Sequence, residues 1–273
     1  MSGKTWLITG CSSGFGKVMA EELLSRGENV IATARKPETL DALTGAWPET
    51  AIGLKLDVTR QADIEAAVNA GLERFGNIDV LVNNAGYGQM GAVENAPMQM
   101  ARDAMETNYF GPLALIKAVL PGMIARRSGQ IVNVGSIAGQ VGFPLIADYC
   151  ASKFAVSGMS ESLGAELEPL GIFVTLAELG PFETGFAGAM AIVPPPEHYD
   201  PVALSQEAGN GRWTSVSPAI DGVRALLKAL GAPRPPRRLL LGEQGLEVAE
   251  LHDRRRQAER EKWIDVIRME TTA

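Results

Sequence analysis

Thr5-Trp6-Leu7-Ile8-Thr9-Gly10-Cys11-Ser12-Ser13-Gly14-Phe15-Gly16 is the stretch on which the reading of the whole chain turns. Its first five residues make an apolar run of strand length, and the seven that follow are mostly small, with three glycines among them. An amphipathic pattern, 16–26, begins where the glycines end. A strand that turns through glycines into a helix lets its backbone approach a ligand at the helix start. Unpaired N–H groups and the helix dipole there favour an anion such as a pyrophosphate. The glycines stand at 10, 14 and 16, not in the common G-x-G-x-x-G spacing.

Gly10-Cys11-Ser12-Ser13-Gly14 also fits G-x-S-x-G, the strand-turn-helix elbow that exposes a nucleophilic serine in hydrolases. That elbow normally follows several strands, and the chain's two histidines, His198 and His252, fall in an unpatterned loop and a charged helix. A P-loop is excluded because Gly16-Lys17 comes one residue late and Val18 lacks the hydroxyl that would hold magnesium. A glycine turn with no ligand stays open on this stretch alone.

Outward from this turn, short apolar runs at 29–33, 52–56, 78–82, 130–134 and 172–177 alternate with amphipathic segments at 61–75, 98–126 and 147–170. Strand-helix alternation with strands apolar on both sides predicts βαβ units, hence an α/β fold whose parallel sheet is covered on both faces. Right-handed crossovers bring every strand's C-terminal end to one edge, where ligands bind. From 185 to 217 the pattern breaks around Pro194-Pro195-Pro196, predicting a loop-rich lid. A helix at 218–230, a strand at 238–241 and a charged helical tail from about 243 to 273 complete what reads as a single domain, 1–273.

Of the 273 residues, 46% are hydrophobic, ample for a core, and the net charge of −7 is spread along the chain. Arg254-Arg255-Arg256 is interleaved with acids, which argues against a nucleic-acid groove. No apolar run reaches the length of a membrane span and no signal-peptide pattern opens the chain, so no membrane partner and a cytoplasmic location are expected. Cys11 and Cys150 fit a reducing compartment as packing residues. No His, Cys and carboxylate cluster has metal-ligand spacing, so no metal is expected.

Tyr149-Cys150-Ala151-Ser152-Lys153 sets a phenol and an ammonium four residues apart, on one face if the segment is helical, and Ser136 follows the apolar run upstream. A free phenol titrates near pH ~10, so carrying protons at neutral pH needs roughly 4 kcal/mol of help. One cation at ~4 Å supplies about 1 kcal/mol in water and about 4 at the effective dielectric of a protein cleft. The pair works as an acid-base group only where it is sheltered.

Thr9-Gly10-x-x-x-Gly14-x-Gly16, Asn83-Asn84-Ala85-Gly86, Asn108, Ser136 and Tyr149-x-x-x-Lys153 occur in an order and spacing that resembles the short-chain dehydrogenase/reductase family, from residue 4 to about 186. The resemblance implies a doubly wound, Rossmann-like parallel sheet. It also implies an oxidoreductase that moves hydride between a nicotinamide dinucleotide and a ketone, aldehyde or alcohol. Tyr149 would then give or take the proton, and Lys153 would lower the phenol pKa and hold the nicotinamide ribose. Ser136 would bind the substrate oxygen, and Asn108 would anchor a water linking Lys153 to solvent. From the residues alone, Ser136 as a helix cap and Asn108 as a backbone brace stay open.

Cofactor contacts are implied for Gly10, Ser12, Ser13, Gly14, Phe15 and Gly16, for Asn84, Ala85 and Gly86, and for Tyr149 and Lys153. Asp57 and Val58, closing the third strand, would hold adenine, although Asp57 also suits a helix cap. Gly180, Phe182 and Thr184 would lie against the nicotinamide end. Leu179-Gly180 departs from the family's Pro-Gly, and Glu183 is an unexpected acid so near phosphates. At the end of the second strand, Thr33-Ala34-Arg35-Lys36 has Ala34 where an acid would bond a ribose 2′-hydroxyl, while Arg35 offers a planar fork to a 2′-phosphate. NADP(H) is therefore expected, with NAD(H) possible because Ser13 supplies no second cation.

Tyr87, Gly88, Val141, Gly142 and Phe143, with Phe182, Phe186 and Met190 of the lid, are expected to line an apolar pocket for a hydrophobic carbonyl compound or alcohol, core packing being the competing use for each. The helices carrying Asn108 and Tyr149 resemble those that pair between subunits of the family, implying a homodimer or homotetramer. A non-catalytic NADP-binding regulator on the same fold is the alternative, against which the complete Ser136, Tyr149 and Lys153 set argues.

Overall fold

Among the described residues, 3–208 and 216–269 of a computed structural model, nine strands form: β1 (Thr5–Ile8), β2 (Asn29–Ala34), β3 (Ala51–Lys55), β4 (Val80–Asn83), β5 (Gln89–Met90), β6 (Gly129–Ser136), β7 (Ile172–Leu179), β8 (Ala191–Ile192) and β9 (Arg238–Leu241). The helices are α1 (Gly14–Ser25), α2 (Asp41–Ala46), α3 (Gln61–Phe75), α4 (Met98–Met105), α5 (Gly111–Arg126), α6 (Ala147–Leu167), α7 (Pro201–Ala208), α8 (Ala219–Leu230), α9 (Glu243–Lys262) and α10 (Ile264–Ile267). Residues 209–215 of the expected lid and 270–273 of the expected tail lie outside the described residues.

Seven strands join in the order β3-β2-β1-β4-β6-β7-β9, all parallel. Each parallel neighbour requires the chain to cross a face of the sheet, and the helices make those returns. After β3 the order jumps back past β1 to β4. The two halves of the sheet therefore diverge between β1 and β4, which opens a crevice at their C-terminal ends.

Period-two alternation splits each strand between two cores. Trp6, Ile8, Val30, Ala32, Val80 and Val82 face one, with Phe15, Met19 and Leu23 of α1 and Val223 and Leu226 of α8. The intervening Leu7, Ile31 and Leu81 face the other, with Ile64 and Val68 of α3 and Leu115, Ile116 and Met123 of α5. At about 1.5–3 kcal/mol per large buried side chain, this two-sided burial fixes the strand register, because a slip of one residue exchanges the faces.

α4 and α5 run as one 29-residue helix, Met98–Arg126, through a π turn at Glu106–Phe110. Its length and hydropathy would suit a membrane span, but Leu115, Ile116, Val119 and Met123 are buried against the sheet. It is a core helix. The π turn inserts an extra residue and carries Asn108 inward.

Three features depart from the expectations. β6 and β7 each run two residues past their predicted ends, so Ser136 and Leu179 stand opposite each other on strand termini. The predicted lid contains β8, which pairs with β5 through Gln89↔Ala191 and Met90↔Ile192, together with helix α7. Asn95 Nδ2 also donates to Pro194 O at 2.8 Å. Two-residue strands and the six-residue α2 carry too little periodicity to be read from sequence.

Candidate active site

The turn after β1 is built around Thr9. Its Oγ1 accepts from the N–H groups of Asn84 at 2.9 Å and Ala85 at 2.8 Å and donates to Val82 O. Asn84 Nδ2 donates in return to Thr9 O at 2.8 Å and Gly10 O at 3.2 Å. The asparagine segment after β4 is thereby stitched to the glycine turn across the crevice. Gly10 and Gly14 adopt φ of 74° and 58°, a region side chains resist. A Cβ on Gly14 would lie 2.7 Å from Thr184 O, so the base of the lid crosses directly over the turn.

Ser13 caps α1 without a side-chain hydrogen bond, and no acid sits in the first turn. With Ser12 and Ser13 exposed, the N–H groups at the start of α1 are available to an anion, and the donor set fits a diphosphate. Gly16 is required by contact, since its Cβ would lie 2.3 Å from Asn84 Nδ2 and 2.6 Å from Gly10 O. Gly16→Ala should cost about 1–3 kcal/mol through overpacking and weaken binding of the expected dinucleotide at least about tenfold. Thermal unfolding and fluorescence titration check this, and an unchanged melting temperature with unchanged affinity would refute the crowding.

Across the sheet edge, α6 presents Tyr149 and Lys153 on its buried side. Tyr149 is 8% exposed and Lys153 5%, with Lys153 Nζ 5.8 Å from the centre of the Tyr149 ring. The shelter demanded by the sequence argument is present, and it acts on both groups. Burial pushes the phenol up to about 12, against the pull of a hydrogen bond with Ser136, and it pushes the ammonium down to about 8. Desolvation dominates the phenol's shift, and Lys153 Nζ spends a bond on Val134 O at 2.9 Å.

Ser136 Oγ accepts from Ala138 N at 3.1 Å, capping a short turn, and its hydroxyl is the hydrogen-bonding group that pulls on the Tyr149 phenol. Asn108 braces backbone: Oδ1 accepts from Tyr87 N at 2.7 Å, and Nδ2 donates to Tyr87 O and to Ser152 Oγ, each at 2.9 Å. Both Nδ2 hydrogens are spent on these bonds, while Oδ1 accepts one. Ser152, which donates to Tyr149 O at 2.7 Å, was not foreseen, nor was the hub role of Thr9. A Cβ on Gly86 would lie 3.7 Å from Asn108 Oδ1 and 4.0 Å from Lys153 Nζ, which places these groups together at one point.

The remaining candidates divide. Ala34 is buried and Arg35 exposed at the end of β2, and among the described residues Arg35 has no carboxylate partner. Asp57 accepts from Thr59 N at 3.0 Å and Thr59 Oγ1 at 2.8 Å, bracing a turn instead of capping α3, while Val58 is buried against Gly111. Gly180 N donates to Leu241 O, and the residue closely approaches Gly245. Leu179 packs on the first core, and Glu183 is exposed.

Phe182 corrects an expectation. Its partly buried ring packs edge-on against Phe15 at 5.9 Å and over Gly222, turned to the first core. Phe186 keeps its expected place, 5.7 Å from the Tyr149 ring and, with Met190, against Gly88. Val141 and Phe143 are buried in the cluster that contains Tyr149.

The family model for short chain dehydrogenases matches residues 4–191, a span that holds every candidate residue above. The chain belongs to the short-chain dehydrogenase family. An oxidoreductase of Botryotinia fuckeliana is 38% identical over 96% of this dehydrogenase and 97% of its own length. A retinol dehydrogenase of Homo sapiens is 38% identical over 86% of the chain and 80% of its own. A short-chain dehydrogenase structure from Streptomyces avermitilis superposes with a TM-score of 0.89 at 37% identity, covering 99% of this chain and 100% of that one. One from Burkholderia cenocepacia, in complex with NADP, gives 0.75 at 30% identity over 96% and 97%. One from Burkholderia phymatum, in complex with NAD, gives 0.79 at 26% over 97% and 95%.

Proposed function

We propose that this dehydrogenase interconverts an apolar ketone or aldehyde and its alcohol with NADP(H), with Tyr149 as the acid-base group. One observation carries the reading: a buried phenol, hydrogen-bonded to Ser136 and beside a buried Lys153, lies at the same sheet edge as a helix start left open to phosphate. When bound, the nicotinamide supplies or accepts the hydride. Gly10 to Gly16 hold the diphosphate, Arg35 the adenosine phosphate, and Lys153 the nicotinamide ribose. Ser136 donates to the substrate oxygen as charge develops there, and Tyr149 delivers its proton to that atom. Asn108 keeps Tyr87 and α6 in register.

Phe186 beside Tyr149 supports an apolar substrate, as does the similarity to a retinol dehydrogenase. NADPH oxidation against a panel of apolar ketones and aldehydes tests the reading, and tight NADPH binding without turnover on that panel would sink it. Arg35 supports NADP over NAD, the chain having relatives with either. Arg35→Asp should reverse the preference by about 100-fold or more, because a fork on a dianion becomes a repelling carboxylate. Unchanged ratios of kcat/KM for NADPH and NADH would exclude this role. We further propose a homo-oligomer, supported by Phe110, just before α5, and Phe154, on α6, which are 46% and 44% exposed. Cytoplasmic placement rests on the free, buried Cys11 and Cys150.

A further inference from the structure

Glu178 has no part in the chemistry above, yet among the described residues it is the one fully buried carboxylate, at 0% exposure. Burying such a charge costs several kcal/mol unless it is well paired, and its pairing here is incomplete. Oε2 accepts from Gln140 Nε2 at 2.5 Å and from Arg238 Nε at 3.0 Å, while Oε1 has no partner. On β7 it stands opposite Gly135, one step before the Ser136↔Leu179 pair. A Cβ on Gly135 would lie only 3.3 Å from its Cγ.

Gln140 lies four residues after Ser136, and the turn between them is stiff. Ala138 N donates to Ser136 Oγ, both Gln140 N and Val141 N donate to Ile137 O, and Arg256 of α9 donates to Gln140 O. A pull on the Gln140 side chain is therefore transmitted to Ser136. We propose that Glu178 is a positioning residue that, through Gln140, fixes the turn aiming the Ser136 hydroxyl at the Tyr149 phenol. The inference rests on the role of Ser136 under the proposed function.

Two measurements on the full chain test it. Without added dinucleotide, Glu178→Gln should speed amide hydrogen exchange at Ala138, Gln140 and Val141 by about tenfold or more, leaving β1 and β4 unchanged. In steady-state ketone reduction, it should lower kcat about 10- to 50-fold with KM moved less than about twofold. In a Ser136→Ala background it should change kcat less than about twofold, because residues acting through one group are not additive. Gln140→Ala, at a partly exposed position, should reproduce both effects if Glu178→Gln folds poorly. Glu168→Gln, which breaks an ion pair with Arg234 and Arg237 at the opposite sheet edge, should leave kcat/KM unchanged. Additive losses or unchanged exchange overturn the inference while leaving Ser136 in its role. If Ser136→Ala turns over at the parental rate, the proposed function fails first and the kinetic part of the inference fails with it.

Discussion

Tyr149→Phe is expected to lower carbonyl turnover by about a thousandfold or more while leaving NADPH affinity within about threefold. The ring keeps its packing against Phe186, so the substitution removes one hydroxyl and nothing else. A positioned general acid contributes ~10²–10⁴-fold, and no neighbour replaces this one. Ser136 is a far weaker acid, and Lys153 Nζ is turned to Val134 O. The phenol, pushed up to about 12, keeps its proton throughout the neutral range, as a donor for carbonyl reduction must. Losing its bond to Ser136 costs on the order of 1 kcal/mol, partly offset because no polar group then stays desolvated. Steady-state kinetics and fluorescence titration check both halves. Residual turnover above a tenth of the parental rate would remove Tyr149 from the mechanism.

Lys153→Met should lower turnover about 10²- to 10³-fold without destabilising the protein. Holding the ammonium at a pKa of about 8 instead of 10.5 costs on the order of 3 kcal/mol at neutral pH, a burden that methionine removes. Against this, Val134 O loses its donor, worth about 1–3 kcal/mol when buried, so the variant should match the parent or exceed it by about 1 kcal/mol at pH 7. The sign with pH follows from the lowered value. Below pH ~8 folded and unfolded chains both carry the proton and the burden is complete. Between about 8 and 10.5 the unfolded chain holds a proton that the folded chain has released, so parental stability rises with pH. The raised phenol acts in the opposite sense only above pH ~10. Urea melts of parent and variant at pH 7 and 9.5 should therefore show the parent gaining on the variant. A parent that loses ground over that interval would contradict the burial argument.

The sheet and the catalytic set could be read in advance because they rest on short-range patterns. Leu7 and Ile8 can both be buried only in a strand covered on two faces, and the four-residue step from Tyr149 to Lys153 needs one helix. What escaped depends on contacts distant in sequence. The clamp of Gln89 to Ala191 spans two residues on each side, with no period to detect. Phe182 looked like a pocket residue because an aromatic beside the lid can face either way, and Gly222, forty residues later, decides which. Burial of Glu178 could not be inferred, because its partners Gln140 and Arg238 come from separate elements. The direction of the phenol shift was likewise hidden, since it depends on how much water is excluded relative to where Lys153 spends its bond.

The stitching of Thr9 to Asn84 and Ala85 bears on how a dinucleotide is received. Loops that order only around a ligand subtract their lost freedom from the affinity. Here the glycine turn is already immobilised by a neighbouring strand's asparagine. The entropy of arranging it is settled during folding, before any ligand arrives, and the phosphate meets a surface that is already rigid.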